Sequence, residues 1–314
     1  MINFKRTNGI SFLKNTKFSS NLFVTLMLLY PLLNFLIFYV IGNTTAIMMA
    51  FQKTDTETFR STWAGFYQFE KFFNELFNST SLVLYIKNSL LFFFILLFLG
   101  MPFNLLFAYL LFTRVKGTEV IRWALLIPAM VSGMVTAMLF SKFAEYALPG
   151  VLQKYFQIQT HSLIMDERFN LGTLIFYQLI TGFSSNVIIY CNSMSAVTDE
   201  ILESCRMDGA NHRHIFWYMC VPMAMPTMTT YIVTGVSGIF ACSGGIHLLF
   251  YQYTSPENVK TLGFYIFTLS KNDNPRFLDY SYATAINLIF ASISFILVSI
   301  TKKIMDRFDP YREA

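Results

Sequence analysis

Six stretches, each about twenty residues or longer and nearly free of charge, recur near 22–41, 84–112, 122–141, 171–192, 221–243 and 281–301. A helix rising ~1.5 Å per residue needs about 20 apolar residues to cross a hydrocarbon core of about 30 Å. The chain is therefore expected to be an all-α membrane protein with six transmembrane helices in a single transmembrane domain spanning 1–314. One soluble core does not hide this much apolar surface. Hydrophobic residues make up 54% of the chain and charged residues 13%, against about 25% charged in soluble domains. A net charge of +5 on so apolar a chain does not point to nucleic acid. The first run, Leu22 to Ile41, is longer than the ~7–15-residue core of a secretory signal and lacks a small-residue cleavage site; it is expected to stay as an anchor.

Orientation follows from flanking cations. Lys5, Arg6, Lys14 and Lys17 precede the first span, and Lys302, Lys303, Arg307 and Arg312 follow the last. Cytoplasmic loops carry the excess of Lys and Arg, so both termini are expected in the cytoplasm. Arg114, Lys116 and Arg122 put the short second-to-third connection there too. The outer connections are then 42–83, 142–170 and 244–280. The first contains Trp63-Ala-Gly-Phe-Tyr-Gln-Phe-Glu-Lys-Phe-Phe73, whose spacing suggests an amphipathic helix along the membrane interface. Pro102 in the long second span predicts a kink or tilt.

Between the fourth and fifth spans lies a polar island, about 195–222, which must sit in water. It reads as a helix, a glycine turn and a second helix. Thr198 suits an N-cap, with Asp199 and Glu200 where the helix dipole favours anions. Ile201, Leu202 and Cys205 share an apolar face, and Asp208-Gly209 ends the helix because glycine takes the left-handed conformation readily. Asn211 suits the next N-cap, and Pro222 marks the return to the membrane. On charge and capping alone, this is an ordinary cytosolic loop.

Its spacing says more. Glu203-Ser204-Cys205, three residues, Gly209, nine residues, then Met219-Cys220-Val221-Pro222 resembles the EAA loop of bacterial ABC importer permeases: Glu-Ala-Ala, three residues, Gly, nine residues, Ile, any residue, Leu-Pro. Ser204-Cys205 replaces Ala-Ala, Met219 replaces Ile and Val221 replaces Leu, all small or apolar. Asp208-Gly209-Ala210 resembles the Asp-Gly-Ala of the carbohydrate, maltose-type branch. Asn88-Ser89-Leu90, Arg122-Trp-Ala-Leu-Leu-Ile-Pro128, Leu262-Gly-Phe-Tyr-Ile-Phe and Asp279-Tyr-Ser-Tyr-Ala-Thr-Ala-Ile resemble further segments of that branch, so the likeness covers about 20–310.

The resemblance implies a type I ABC importer permease fold. The island would be a coupling helix docked on an ATP-hydrolysing subunit, with Glu203 as polar anchor and Gly209 as tight turn. Ser204 and Cys205 would pack, Asp208 and Ala210 would shape the turn, and Pro222 would transmit tilt. Implied partners are a second permease, two ATP-binding subunits and an extracytoplasmic solute-binding protein that delivers a sugar or oligosaccharide.

The chain itself has no G-x-x-x-x-G-K-[ST] phosphate loop, so ATP and Mg belong on the partner and no cofactor is expected here. No H-E-x-x-H or G-x-S-x-G supports a membrane enzyme. The spans hold almost no ionisable residue away from their ends, which weighs against an ion-coupled secondary transporter. Another polar solute, such as a glycerophosphodiester or polyamine, is the alternative cargo. Cys191, Cys205, Cys220 and Cys242 read as small apolar fillers, and His212 and His214 as solvated surface. Tyr177, Gln178, Asn186 and Tyr190 in the fourth span, Ser237 in the fifth and Asn287 in the last are candidate substrate contacts, since amides, hydroxyls and aromatic faces suit sugars. The plainer role of such groups is to join helices.

Overall fold

The structure, a computed structural model, describes residues 23–54, 61–115, 117–157, 159–160, 162–240, 244–251, 255–271 and 279–308. The basic cluster at 5–17, Lys116, Cys242 and Arg312 lie outside these residues. Eleven helices and one hairpin are described. They are α1 (Phe23–Ala50), β1 (Gln52–Thr54), β2 (Ser61–Trp63), α2 (Tyr67–Asn78), α3 (Thr80–Phe112), α4 (Thr118–Met130), α5 (Gly133–Phe156), α6 (Asn170–Met194), α7 (Asp199–Met207), α8 (212–238), α9 (Gly244–Tyr251), α10 (Leu262–Ser270) and α11 (Tyr280–Phe308). β1 and β2 pair antiparallel, with Gln52 opposite Trp63.

Helices α1, α3, α6 and α11 are long and apolar enough to cross a membrane. The expected third span, 122–141, is not one straight helix. Its residues fall in α4 and α5, which meet at 94° across Val131-Ser132; Val131 is extended (ψ 138°) and Ser132 likewise (ψ 134°). Taken together the pair matches a membrane span in length and apolar composition, as either a broken span or a re-entrant loop. The polar residues of α8 leave it below the hydropathy of the others, and 241–243, the end of the expected fifth span, lies outside the described residues.

Prolines explain most of the irregularity inside helices. Wide π-turns occupy Leu96–Gly100, Phe143–Ala147 and Phe216–Cys220, each ending two residues before a proline: Pro102, Pro149 and Pro222. A helical proline offers no N–H, and its ring crowds the carbonyl four residues earlier. Those carbonyls belong to Phe98, Glu145 and Tyr218, all inside the wide turns, which give the ring room without ending the helix.

Packing concentrates in three apolar clusters. One joins α3, α6 and the start of α8 around Tyr109, Tyr190, Met194, Ile215 and Cys220. A second joins α2, α3, α8, α10 and α11 around Phe72, Tyr282 and Phe290. The third gathers Phe92, Ala144, Ile164, Leu174 and Tyr251. Residues 23–41 of α1 are exposed throughout, whereas Gly42–Ala50 lies against α11 and buries Ala50 completely.

The expected interfacial helix forms as α2, but one face turns inward. Phe72 is buried with its ring edge-on to Phe290 at 5.8 Å, and Gln68 donates to the Gln52 carbonyl at 3.0 Å. Phe73 and Phe77 remain exposed on the other side.

Candidate functional site

The polar island folds into α7, a turn and the first turns of α8. Thr198 holds the N-cap position of α7 but makes no capping hydrogen bond with its side chain, contrary to expectation. The first turn relies instead on Asp199 and Glu200 beside the exposed N–H groups. Asn211 does cap α8, its Oδ1 accepting from the His214 N–H at 3.0 Å. Between them the chain makes a Schellman turn. The Ala210 N–H donates to the Cys205 carbonyl at 2.9 Å and the Gly209 N–H to the Arg206 carbonyl at 3.1 Å, with Gly209 at φ +84°. A Cβ at Gly209 would meet nothing within 4 Å. The glycine is needed for its backbone angle, not for space.

One face of the island is seated on the bundle. Leu202, Ile215, Phe216 and Cys220 are buried in the cluster with Tyr109, Val187 and Met194. The Tyr109 hydroxyl donates to the His212 carbonyl at 3.0 Å and lies 3.1 Å from His212 Nδ1, and the Tyr109 ring packs edge-on to Phe216 at 5.1 Å. His212 and His214 are exposed, as expected, yet both are tethered, His214 Nδ1 lying 2.8 Å from Asn211 Oδ1. The other face is open. Glu203, Ser204 and Asp208 are exposed, and so are three large apolar residues, Met207 (89%), Tyr218 and Trp217. Cys205 is half-buried and Ala210 packs against the cluster. Pro222 is inside a continuous α8, so the island and the membrane helix are one rod from 212 to 238.

A cleft opens between α3, α6 and α8. Its upper chamber, ≈ 560 Å³, is lined by Phe92, Phe93, Gln178, Tyr231, Thr234 and Ser237 among others. A smaller chamber of ≈ 190 Å³ shares Leu96, Gln178 and Tyr231 with it and adds Asn104, Thr181 and Asn186. Asn186 and Tyr231 both line this smaller chamber. Gln178 Oε1 is buried and has no hydrogen-bond partner, a state that costs about 1–3 kcal/mol.

The cleft thus gathers Gln178, Asn186 and Ser237 from the sequence candidates. It does not gather the other three. Tyr177 is buried between Phe140 and Phe250, both rings 4.9 Å away. Tyr190 is buried near Tyr231 at 6.3 Å, its hydroxyl unpartnered. Asn287 is exposed on α11, away from either chamber. Asn104 and Tyr231 were missed by sequence reading; the signal available was an amide and a phenol within otherwise apolar helices.

At the opposite end of the bundle, three of the resembling fragments meet. Asn88 Nδ2 donates to the carbonyls of Asn258 (3.0 Å) and Lys260 (2.9 Å), and Ser89 Oγ accepts from the Leu262 N–H at 3.0 Å. Asp279 accepts from the Tyr282 N–H at 2.9 Å and pairs with Lys71 at 3.0 Å. Lys71 also lies 4.0 Å above the Tyr282 ring, whose hydroxyl donates to Glu75. Tyr85 hydrogen-bonds Glu257, which pairs with Lys260. Burial pushes the Glu257 carboxyl up, but the hydrogen bonds from Lys260 and Tyr85 outweigh it and hold the group below its ordinary value.

The described helices thus form a bundle with a cleft between α3, α6 and α8, and α8 runs without a break from the exposed loop to the wall of that cleft. No family model matches the chain. Its curated relatives are transport permeases. It is 25% identical over 215 residues, 66% of this chain and 70% of the other, to the multiple sugar-binding transport system permease protein MsmF of Streptococcus mutans. It is 24% identical over 303 residues, 91% of this chain and 89% of the other, to the arabinooligosaccharides transport system permease protein AraP of Halalkalibacterium halodurans. In fold it resembles a chain of a bacterial ABC transporter that imports the acidic polysaccharide alginate, with a TM-score of 0.78 at 22% identity over 95% of this chain and 99% of that one. The chain thus shares the fold of a solved chain of a bacterial ABC importer and resembles curated sugar-transport permeases along most of its length.

Proposed function

We propose that this chain is an ABC importer permease of the cytoplasmic membrane. It moves a sugar or oligosaccharide, received from an extracytoplasmic binding protein, as one of two non-identical membrane subunits served by two ATP-binding subunits. The relatives named for sugars support the cargo class. A related transporter structure has been solved with its periplasmic protein carrying an alginate pentasaccharide, which supports delivery by such a protein. In this reading the chain crosses the bilayer six times, α4 with α5 counting as one crossing and α8 as another, with both termini in the cytoplasm. ATP and Mg bind on the partner subunits.

The observation that carries the coupling role is the continuity of the island with α8. Glu203, Ser204, Cys205 and Asp208 offer a contact surface to the ATPase, Gly209 and Ala210 set the turn, and Pro222 lies in the helix that lines the cleft. Closure of the ATPase dimer would push the loop, and the rod from 212 to 238 would carry that displacement to Tyr231, Thr234 and Ser237. The cleft, with Gln178, Asn186 and Ser237, is the candidate path. Tyr177 and Tyr190 serve better as packing residues, and Asn287 stays on the exposed face of α11.

The test is uptake of labelled oligosaccharides into proteoliposomes holding the purified complex. Uptake that requires ATP and the binding protein is expected. Uptake without nucleotide would overturn the assignment, and uptake restricted to a glycerophosphodiester or polyamine would overturn the cargo.

A further inference from the structure

Every polar group lining the two chambers is uncharged; among the described residues no Lys, Arg, His, Asp or Glu contributes to either wall. We infer that Asn104, Gln178, Asn186 and Tyr231 form a subsite for an uncharged saccharide unit and select against acidic ones. The inference rests on the sugar-importer reading and narrows its substrate class.

The four side chains come from three helices, α3, α6 and α8, and converge on one space. Three amides and a phenol supply both donors and acceptors, which a sugar ring bearing hydroxyls needs on several sides. Gln178 belongs to both chambers and keeps a buried, unpartnered carbonyl oxygen, an acceptor that a ligand hydroxyl would satisfy. The chamber that all four line is ≈ 190 Å³, room for a single sugar unit, and above it Phe92 and Phe93 add aromatic walls to the larger chamber of ≈ 560 Å³.

Glycines keep the space open. A Cβ at Gly235 would stand 3.1 Å from Phe93 Cε2, and one at Gly182 would stand 3.5 Å from Asn186 Nδ2. A uronate carboxylate in this setting would lose its hydration between apolar helices with no cation on this chain to replace it.

The experiment uses the whole purified transporter in nanodiscs, without binding protein, and measures retention of three radiolabelled probes: arabinotriose, maltotriose and trigalacturonate. Retention of a neutral trisaccharide but not of trigalacturonate is expected. Gln178→Leu, which keeps the size of the side chain in an apolar helix, should weaken neutral binding roughly three- to tenfold, the range of one lost hydrogen bond. Gln178→Lys should bring trigalacturonate binding within reach, a gain that misfolding does not mimic. Equal retention of acidic and neutral trisaccharides by the unaltered complex, or an unchanged Kd in Gln178→Leu, would overturn the inference and leave the sugar-importer reading standing. Retention of no saccharide, with retention of a glycerophosphodiester in a parallel run, would overturn both.

Discussion

Gly209 offers the sharpest perturbation of the coupling loop. Its φ of +84° is closed to most side chains, and a residue with a Cβ loses about 1–2 kcal/mol there. Because a Cβ would touch nothing within 4 Å, Gly209→Ala should carry only that backbone strain. It shifts the loop away from its native turn roughly five- to thirtyfold. Gly209→Asn should lose less, since asparagine visits the left-handed region more readily. Gly209→Pro should be worst. It fixes φ near −65° and removes the N–H that bonds the Arg206 carbonyl at 3.1 Å. It also drives Asp208 out of the conformation (φ −74°, ψ 1°) that closes α7. The assay is solute imported per ATP hydrolysed in proteoliposomes, with assembly checked by co-purification. The expected order is native, then Asn, Ala and Pro, with Pro near zero. Normal import per ATP in the proline variant would refute the reasoning.

Other outcomes follow from the same geometry. Tyr109→Phe removes the hydroxyl that holds the His212 carbonyl, a change of about 0.5–1.5 kcal/mol; ATPase activity should persist while import per ATP falls, and an unchanged ratio would count against a rigid seat for the loop. Asp279→Ala should lower the melting temperature more than Lys71→Ala, because Asp279 also caps α11 through the Tyr282 N–H. The shared ion pair is about a third exposed and contributes at most about 1 kcal/mol; equal shifts in thermal unfolding would contradict the capping role. Gly235→Val should narrow the upper chamber against Phe93 and raise the KM for import without changing basal ATPase activity. Glu257 is held below its ordinary carboxyl value by Lys260 and Tyr85. A depressed folded value means its contribution is complete above the unfolded value, about 4.3, and is lost as pH falls through the folded one. Thermal stability of Glu257→Gln should therefore depend less on pH below about 5 than that of the native chain, and identical acid profiles would sink this assignment.

Much of this architecture was legible in the sequence because hydrocarbon imposes a length and a polarity that leave a plain record. Residues 171–192 and 281–301 fall within α6 and α11 almost end to end. The Gly209 turn was legible for an equally local reason, since glycine after a short amphipathic helix needs no tertiary information. Other features depended on neighbours. Asn287 and Asn186 look alike as amides in apolar runs, yet one is exposed on α11 and the other lines the cleft; only packing decides which way each faces. The break at Val131-Ser132 carries no proline of its own, Pro128 lying within α4, and both residues are exposed, so neither residue type nor burial marks it in the sequence. Thr198 had the residue type of a cap but not the side-chain bond. Conversely, Asn88, Leu262 and Asp279 were weak fragments singly. Their meaning emerged when Asn88 was found holding the loop that leads to Leu262 and Asp279 capping the helix beside it.

The most direct measurement places a thiol at Met207, 89% exposed on the loop's open face, and asks what it reaches. In the assembled transporter, Met207→Cys treated with a short bifunctional reagent should join this chain to the nucleotide-hydrolysing subunit. The yield should change when ATP is bound, and a membrane-impermeant thiol reagent applied to intact cells should leave the residue unmodified. Modification from outside the cell, or no link to that subunit in either nucleotide state, would show that residues 203–222 are not the point where the motor meets the membrane.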